Sequence, residues 1–196
     1  MKTFRAFGPT LGKAKLSKNL TKIINNFIDN TTISKKNDYS SKLASQVKDE
    51  IKLSNAFVTK NISKELIKNI KKYLKKSEVN KIKKVKIINV WVVKQFKNEY
   101  NPVHYHKGQV SGVGYLKIPK NMNFNKMLRN KKIKTNGTID FINGQRNFLS
   151  KSIYNLNPKV GDLLIFPNYL MHSVYPFNVN GERRSFSFNA EILFKK

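Results

Sequence analysis

The sequence predicts an α+β fold in which a mainly helical part precedes a β-barrel-like half. Apolar residues recur at helical spacing within residues 1–84. From residue 85 onward, short segments rich in β-branched residues alternate with glycine and proline, which is typical of a barrel or sandwich. The length of 196 residues suits one domain with a sizeable core. We therefore expect a single domain over residues 1–196, with a helical part at 1–84 and a β core at 85–196.

Three amphipathic helices are predicted in the first part. The first follows Ser17, a candidate N-cap, and places its apolar residues at the i, i+3, i+4 spacing from Leu20 to Ile28. The second is predicted over residues 43–51, where the same spacing recurs. The third covers residues 66–74, with Ser63 as its candidate cap. These apolar residues are predicted to form core, and none of them indicates chemistry.

The second part is predicted to consist of strands. The segments rich in β-branched or aromatic residues are Val85–Gln95, Val110–Ile118, Thr138–Ile142, Leu163–Phe166 and Arg183–Leu193. A long basic loop, Lys120–Asn136, separates two of them. Long loops in compact domains are often functional, so we expect substrate contacts in this loop.

The composition excludes several classes of site. The chain has no cysteine, so disulfides, zinc–thiolate sites, iron–sulfur clusters and thiol nucleophiles are excluded, and any metal is held by His, Asp, Glu or backbone oxygen. The N-terminus lacks the apolar core of a signal peptide, and no apolar run approaches the roughly 18 residues that span a bilayer. We therefore expect a cytoplasmic protein without a membrane partner.

The chain carries a formal net charge of +28, with 39 basic residues of which only five are arginine. Lysine, asparagine and isoleucine are the residues that A/T-rich codons encode, and the lysines run from end to end. The favoured interpretation is a solvated basic surface that reflects composition, because nucleic-acid binders usually cluster arginine and aromatic residues on one face. An acidic or nucleic-acid partner is the alternative, and non-specific attraction of polyanions is expected in either case.

All three histidines of the chain lie in the β half. His104 and His106 are two residues apart, which places both imidazoles on one face of an extended segment. Two neighbouring neutral imidazoles are a bidentate ligand pair for a divalent metal. His172 is a candidate third ligand, because a β-barrel brings later strands beside earlier ones. The alternative is that they are ordinary surface or hydrogen-bonded histidines.

A candidate anion site lies in the last predicted strand. Alternation places Arg183, Ser185, Ser187 and Asn189 on one face, while Arg184, Phe186 and Phe188 lie on the other. A polar face on a buried strand indicates a wet or ligand-filled cavity. Arg183 is suited to bind a carboxylate through two parallel hydrogen bonds, with Ser185 as a further donor. The alternative is a surface ion pair between Arg183 and Glu182 or Glu191.

These motifs together resemble the 2-oxoglutarate/Fe(II) oxygenases of marine bacteria and their phages, which are distantly similar to prolyl 4-hydroxylase. The resemblance covers nearly the whole chain, and its motifs are specific in their order and spacing. They are Phe7-Gly-Pro-Thr, Leu43-Ala-Ser-Gln-Val-Lys, Asn101-Pro-Val-His-Tyr-His, Ser111-Gly-Val-Gly-Tyr-Leu, Gly161-Asp-Leu-Leu-Ile-Phe-Pro, His172 and Glu182-Arg-Arg-Ser-Phe-Ser-Phe-Asn.

The resemblance implies a double-stranded β-helix (jelly-roll) core with N-terminal helices packed on it. It implies that His104, His106 and His172 are catalytic residues that hold Fe(II), and that Arg183, Ser185 and Tyr115 bind the cosubstrate 2-oxoglutarate. The implied reaction uses O2 to couple oxidative decarboxylation of 2-oxoglutarate to hydroxylation of a substrate. If the chain is encoded by a phage, its expected location is the host cytoplasm.

The chain departs from the wider superfamily at His106, where a carboxylate usually completes the metal site. Three neutral imidazoles leave Fe(II) with its full charge of +2, so the dianionic cosubstrate alone would neutralise it. The open alternatives are a site with two protein ligands, or a carboxylate supplied by Asp140 or Asp162.

Two other functions are compatible with the sequence. A cupin-type metalloprotein also uses a His-x-His pair and a distal histidine, but the glutamate that follows the pair in cupins is missing here. A basic module that binds nucleic acid or a virion surface would leave the histidines unexplained. The primary substrate, whether a protein side chain, a nucleic acid or a small metabolite, and the oligomeric state are not indicated by the sequence.

Overall fold

The computed structural model describes residues 1–5, 8–32, 34, 37–123 and 135–195. In these residues eleven strands and three α-helices follow one another. They are β1 (Lys2–Arg5), β2 (Thr10–Lys15), α1 (Lys18–Asp29), β3 (Asp49–Lys52), α2 (Asn55–Asn61), α3 (Ser63–Lys76), β4 (Ile82–Gln95), β5 (Asn101–His104), β6 (Val110–Lys117), β7 (Ile139–Ile142), β8 (Ile153–Leu156), β9 (Asp162–Pro167), β10 (Met171–Val174) and β11 (Arg183–Phe194).

The strands form two antiparallel sheets that face each other. The larger sheet has the order β1-β2-β9-β6-β11-β4-β3, and the smaller has the order β5-β10-β7-β8. From β4 onward, consecutive strands alternate between the sheets except at β7 and β8, and this alternation produces a double-stranded β-helix. The predicted fold class is therefore confirmed. His104 and His172 lie in the smaller sheet, and the other candidate site residues line the cavity between the two sheets.

The pleat of β11 separates two environments. Phe186 and Phe188 are fully buried in a core shared with the helices. Arg183 and Ser185 lie on the opposite face and line the space between the sheets. The sequence predicted this division, because a strand alternates its side chains with a period of two.

The helices pack on the outer face of the larger sheet. Residues Leu20, Ile24 and Ile28 of α1 are buried, and Leu66 and Ile70 of α3 join the same core. The hydroxyl of Ser17 accepts a hydrogen bond from the backbone N–H of Leu20 at 3.1 Å, so the predicted N-cap of α1 is confirmed. Ser63 is instead the first residue of α3 and donates to the carbonyl of Val58, so its prediction as a cap is wrong.

The helix predicted over residues 43–51 is wrong. A short 3₁₀ turn at Ser40–Lys42 is followed by extended chain and by β3. The apolar residues that suggested a helix are divided between two environments: Leu43 and Val47 pack around Trp91, whereas Ile51 joins the helix-side core. Pairing of β3 with β4 overrides the helical spacing, since the strand satisfies backbone groups at the sheet edge.

The description of residues 1–84 as mainly helical also needs correction. All three described helices lie there, but so do β1, β2 and β3 and the start of β4. These strands extend the larger sheet at both edges. The helix α2 was not predicted, although Ser54 caps it.

Two glycines of β6 allow the helix-side core to close. A Cβ on Gly114 would clash with the ring of Phe186, and a Cβ on Gly112 would clash with Phe188 and the carbonyl of Leu164. Glycine is therefore required where two phenylalanine rings of β11 cross the neighbouring strand. Among the described residues, no helix combines the length and apolar composition needed to cross a bilayer.

Candidate metal centre

The fold brings the three histidines together in the smaller sheet. His104 ends β5 and lies directly opposite His172 of β10 in the antiparallel register. His106 follows two residues later, and its backbone N–H donates to the carbonyl of Asn168, which holds the segment against the loop before β10. One potential ligand atom from each of the three imidazoles lies within 4.8 Å of the other two. The predicted convergence of a distal histidine on the His-x-His pair is therefore present in the structure.

Backbone carbonyls fix the tautomers of two of these rings. His104 Nδ1 lies 2.7 Å from the carbonyl oxygen of Pro102, and His172 Nδ1 lies 2.9 Å from that of Leu170. A carbonyl oxygen only accepts hydrogen bonds, so each Nδ1 carries the proton and donates. The Nε2 lone pairs of His104 and His172 are thereby left for another partner, which is the arrangement common in metal-binding histidines.

Burial keeps the three imidazoles neutral. Desolvation lowers the pKa of His106 to about 3, with a further contribution from His104. Desolvation also lowers the pKa of His104 and, more strongly, that of His172. Neutral imidazole is the form that binds metal ions, so these residues need not lose a proton to do so near neutral pH.

The spacing of the ring nitrogens fits a shared metal ion. His106 Nε2 lies 3.1 Å from His172 Nε2. Two imidazole nitrogens at about 2.1 Å from one ion, at right angles, are about 3 Å apart. The donor set consists only of nitrogen, which suits iron, nickel, copper or zinc better than calcium or magnesium. The residues present therefore fit a transition metal.

Neither proposed carboxylate joins the histidines. Asp162 is fully buried at the start of β9, where it pairs with Lys13 at 3.0 Å and Lys15 at 2.6 Å. Asp140 accepts a hydrogen bond from Asn155 and pairs with Ser173 across the smaller sheet, next to the Phe141–His172 pair, so its side chain points to the other face. Among the described residues, the group that could hold a metal ion contains only the three histidines.

The histidines open into a cavity of about 620 Å³ that both sheets line. Arg183 lies at one side of this cavity and is only 3% exposed. It donates to the carbonyl of Gly137 at 2.7 Å and to the side-chain oxygen of Gln95, while its Nε has no partner among the described residues. Burial lowers the pKa of Arg183 to about 10, so the guanidinium remains charged at neutral pH.

The other two residues of the predicted cosubstrate site line the same cavity. Ser185 is the next residue on the cavity face of β11, and Tyr115 pairs with it across β6. Burial raises the pKa of Tyr115 to about 12, and the nearby Arg183 opposes that shift, so the phenol stays protonated and available as a donor.

The alternative of a surface ion pair between Arg183 and Glu182 or Glu191 is wrong. It is the neighbouring Arg184 that pairs with Glu182 and with Asp29 of α1, both at 2.6 Å, on the opposite face of β11. The adjacent arginines therefore have different environments: Arg184 ties the strand to α1, whereas Arg183 is a buried cation without an acidic partner among the described residues.

Sequence reasoning missed several residues of the cavity. Gln95 and the Gly137 carbonyl hold Arg183, and Trp91 lies with its ring 5.5 Å from that of His106. The alternation of β4 was a usable signal, because Trp91 and Gln95 lie on the same face of that strand. Glu50 was hidden by the wrong helix over residues 43–51.

Of the long basic loop Lys120–Asn136, residues 124–134 lie outside the described residues, so its role in substrate contacts stays a prediction.

Residues 89–189 match the model of the family described as "Putative 2OG-Fe(II) oxygenase". The chain belongs to this family. It is accordingly a non-haem Fe(II) dioxygenase that uses 2-oxoglutarate and O2, and the resemblance noted in the sequence is confirmed. The matched range includes all three histidines, Arg183 and Ser185. The family assignment decides against the cupin-type protein and the non-enzymatic binding module. A search of curated proteins finds no significant match.

Solved structures of 2OG-Fe(II) oxygenases share the fold of this chain. The viral collagen prolyl hydroxylase from Paramecium Bursaria Chlorella virus-1, in complex with 2OG, is 17% identical, with a TM-score of 0.56 over 92% of this chain and 94% of that one. HygX from Streptomyces hygroscopicus, with nickel and 2-oxoglutarate bound, is 10% identical, with a TM-score of 0.58 over 95% and 83%. A prolyl hydroxylase from Trichoplax adhaerens, in complex with a hypoxia inducible factor peptide fragment, is 10% identical, with a TM-score of 0.57 over 94% and 83%.

Proposed function

We propose that His104, His106 and His172 hold Fe(II) in this oxygenase, and that Arg183, Ser185 and Tyr115 bind 2-oxoglutarate beside it. The observation that carries the proposal is the placement of three neutral imidazoles and one buried, acid-free guanidinium in the same cavity. When bound, the iron with 2-oxoglutarate and O2 supplies oxidative decarboxylation to succinate and hydroxylation of a substrate C–H bond.

The three histidines position the metal through their fixed rings. The carbonyls of Pro102 and Leu170 hold His104 and His172 in the tautomer that directs Nε2 into the cavity. Phe166 packs edge-on against His172, with ring centroids 4.9 Å apart, and restricts the rotation of that ring. Such support from surrounding residues reduces the reorganisation needed when the metal binds.

Arg183 supports the proposed cosubstrate site by its charge and by its free donor. The cost of burying a guanidinium is offset when a carboxylate enters, because the carboxylate supplies both the missing counter-charge and an acceptor for Nε. Ser185 and Tyr115 offer hydroxyl donors on the same side. Gln95 and the Gly137 carbonyl keep the guanidinium in place before the ligand arrives.

Replacement of the usual carboxylate by His106 changes the charge balance. Three neutral ligands leave Fe(II) at +2, and the two carboxylates of 2-oxoglutarate compensate that charge. This neutralisation favours binding of the cosubstrate, because opposite charges attract strongly in an enclosed site. His106→Ala should weaken metal binding, whereas His106→Asp should retain it by restoring the two-histidine, one-carboxylate set.

The direct test is production of succinate from 2-oxoglutarate in the presence of Fe(II), ascorbate and O2, together with calorimetric binding of Mn(II). His172→Ala should abolish both, and Ser173→Ala, on the opposite face of β10, should leave both intact. Failure of the unmodified protein to bind a divalent metal, with no succinate from any substrate pool, would overturn the proposal.

The substrate is proposed at the level of class only. One of the similar proteins is a collagen prolyl hydroxylase, and another prolyl hydroxylase is bound to a hypoxia inducible factor peptide fragment. The candidate classes are a protein side chain, a nucleic acid and a small metabolite, each of which would place its reacting group in the cavity of about 620 Å³ beside the histidines.

A further inference from the structure

Beside β3, the edge strand of the larger sheet, the cavity has a second polar site, which we call the outer subsite and define as Tyr39, Ser45, Glu50, Lys52 and Trp91. Glu50 pairs with Val93 and Lys52 pairs with Trp91 across β3 and β4, so these side chains lie on the cavity face of the larger sheet. Nothing proposed above for the metal or for 2-oxoglutarate uses these residues.

Glu50 is the anomalous member of the outer subsite. It is 1% exposed, and only one of its oxygens is satisfied, by the Ser45 hydroxyl at 2.6 Å. The other oxygen, Oε1, has no partner among the described residues. By contrast, the preceding residue Asp49 faces away and pairs with Lys94 at 3.5 Å. A buried carboxyl without a counter-ion is costly, so Glu50 indicates a missing hydrogen-bond partner.

The cation content of the cavity restricts what that partner is. Lys42, Lys52 and Lys107 line the cavity, and none of them forms an ion pair within the described ranges. A small free cation at Glu50 would share the cavity with these ammonium groups and would meet the field of a chain with a net charge of +28. A ligand that matches both the lysines and the unsatisfied oxygen of Glu50 carries negative charge at one end and an uncharged N–H donor at the other, which we call its inner end.

Aromatic rings near Glu50 indicate the shape of the ligand's inner end. Trp91 is buried beside His106, and the ring of Tyr39 lies 5.9 Å from the ring of Trp91. Lys52 Nζ lies 5.6 Å from the centre of the Tyr39 ring, which places a cation next to these aromatic surfaces. Tyr105, between the two histidines of the pair, is 70% exposed. Aromatic surface combined with lysines is the usual means of binding a base and its phosphate.

We propose that the outer subsite binds a nucleotide unit, with a base amino group donating to Glu50 Oε1 and the phosphate at Lys42, Lys52 and Lys107. The inference rests on the proposed function, since the bound base would lie beside His106 as the substrate or as its anchoring part. Mononucleotides and single-stranded nucleic acid share this chemistry. An acidic peptide is the competing class, and the aromatic lining favours the nucleotide.

Trp91 is the only tryptophan of the chain and therefore reports binding at this subsite. We would titrate the full chain with AMP, CMP and UMP and follow the tryptophan fluorescence. AMP and CMP carry an exocyclic amino group, whereas the N3–H of uracil lies between two carbonyl oxygens that a carboxylate repels. AMP and CMP should therefore bind about tenfold more tightly than UMP, as expected for one hydrogen bond to a buried acceptor. Oligonucleotides and an acidic peptide form two further arms.

Two variants separate this proposal from alternatives. Glu50→Gln should lose the preference for amino-bearing bases, because the Ser45 hydroxyl holds the amide oxygen and leaves an NH2 group facing the cavity. Asp49→Asn, the outward-facing neighbour, should keep the preference. His172→Ala should lose metal but retain nucleotide binding, so failure of the metal proposal and failure of this one are distinguishable.

Each outcome decides the proposal. Tighter binding of oligonucleotides assigns the subsite to single-stranded nucleic acid when Glu50→Gln weakens that binding, since a chain with a net charge of +28 also attracts polyanions non-specifically. Equal binding of oligonucleotides and mononucleotides assigns the subsite to mononucleotides, and an oligonucleotide affinity that Glu50→Gln leaves unchanged counts against the proposal. No fluorescence response to any nucleotide, or an unchanged base preference in Glu50→Gln, overturns it. A response to the acidic peptide alone overturns it in favour of a protein substrate.

Discussion

Replacement of Arg183 by lysine should weaken 2-oxoglutarate binding by about 10- to 150-fold. A guanidinium has five N–H donors, and two of them are used by the Gly137 carbonyl and by Gln95. The Nε–H has no partner among the described residues, so it is available to a ligand. Lysine keeps the charge but loses the planar fork, and one lost hydrogen bond to a charged group is worth about 1.5–3 kcal/mol, which gives this range of affinity.

The adjacent arginine provides the matched control. Arg184→Lys removes the same fork from the other face of β11, where Glu182 and Asp29 are its partners. This variant should lower the melting temperature, because it weakens the link between the strand and α1, without changing the affinity for 2-oxoglutarate. Arg183→Lys should also be less stable, since it leaves Gln95 or the Gly137 carbonyl with a weaker donor.

The assay is calorimetric titration of 2-oxoglutarate into Mn(II)-loaded protein without oxygen, with a thermal melt of each variant to establish folding. Folded Arg183→Lys that binds 2-oxoglutarate within threefold of the unmodified protein would refute the assigned role of Arg183. Loss of affinity in Arg184→Lys alone would place the carboxylate on the helix side of the strand.

Three further predictions concern stability. Burial raises the pKa of Glu50 from 4.5 to about 7, so the folded protein keeps this proton at pH values where the unfolded chain has already released it. The free energy of unfolding should therefore fall by roughly 3 kcal/mol as the pH rises through this window. Chemical denaturation of Glu50→Gln should not show that fall. Burial alone would raise the pKa of Asp162, but its lysine partners lower it below 3.8. The stability that the ionised carboxylate contributes should therefore disappear as the pH falls, and the melting temperature of Asp162→Asn should depend less on acid pH. Gly114→Ala should destabilise by about 1–3 kcal/mol in urea because its methyl group meets Phe186, whereas Gly8→Ala, in open space, should not.

The residues of the candidate metal centre could be predicted because their signal is local. The two-residue spacing of His104 and His106 fixes their common face in any extended segment. The alternation of β11 likewise assigns Arg183 and Arg184 to opposite faces from the sequence alone, and the fold contains that division. Only the approach of His172 required tertiary information, which came from the expectation that a β-barrel brings later strands beside earlier ones, and the family resemblance agreed with it.

The remaining features could not be predicted, because they depend on pairing between distant strands. Residues 43–51 have the apolar spacing of a helix, yet β3 pairs with β4 and its alternate residues enter different cores. The short strands β5 and β10 carry two of the histidines but have only four residues each, too few for a clear periodicity. Glu50 became visible as a cavity residue only when that strand pairing was known.

Charge connects the two ends of the cavity. The histidines are neutral, Arg183 is a cation, and Glu50 is the only acidic residue among the described lining residues. A metal dication therefore adds positive charge to a site that has almost none of the opposite sign, and the compensating charge has to come from bound molecules. In the proposed sites, a dianionic cosubstrate beside Arg183 would supply it near the metal, and a phosphate at the lysines would supply it in the outer subsite. At the proposed ligand position 106, a neutral imidazole rather than a carboxylate would thus favour anionic ligands throughout this cavity.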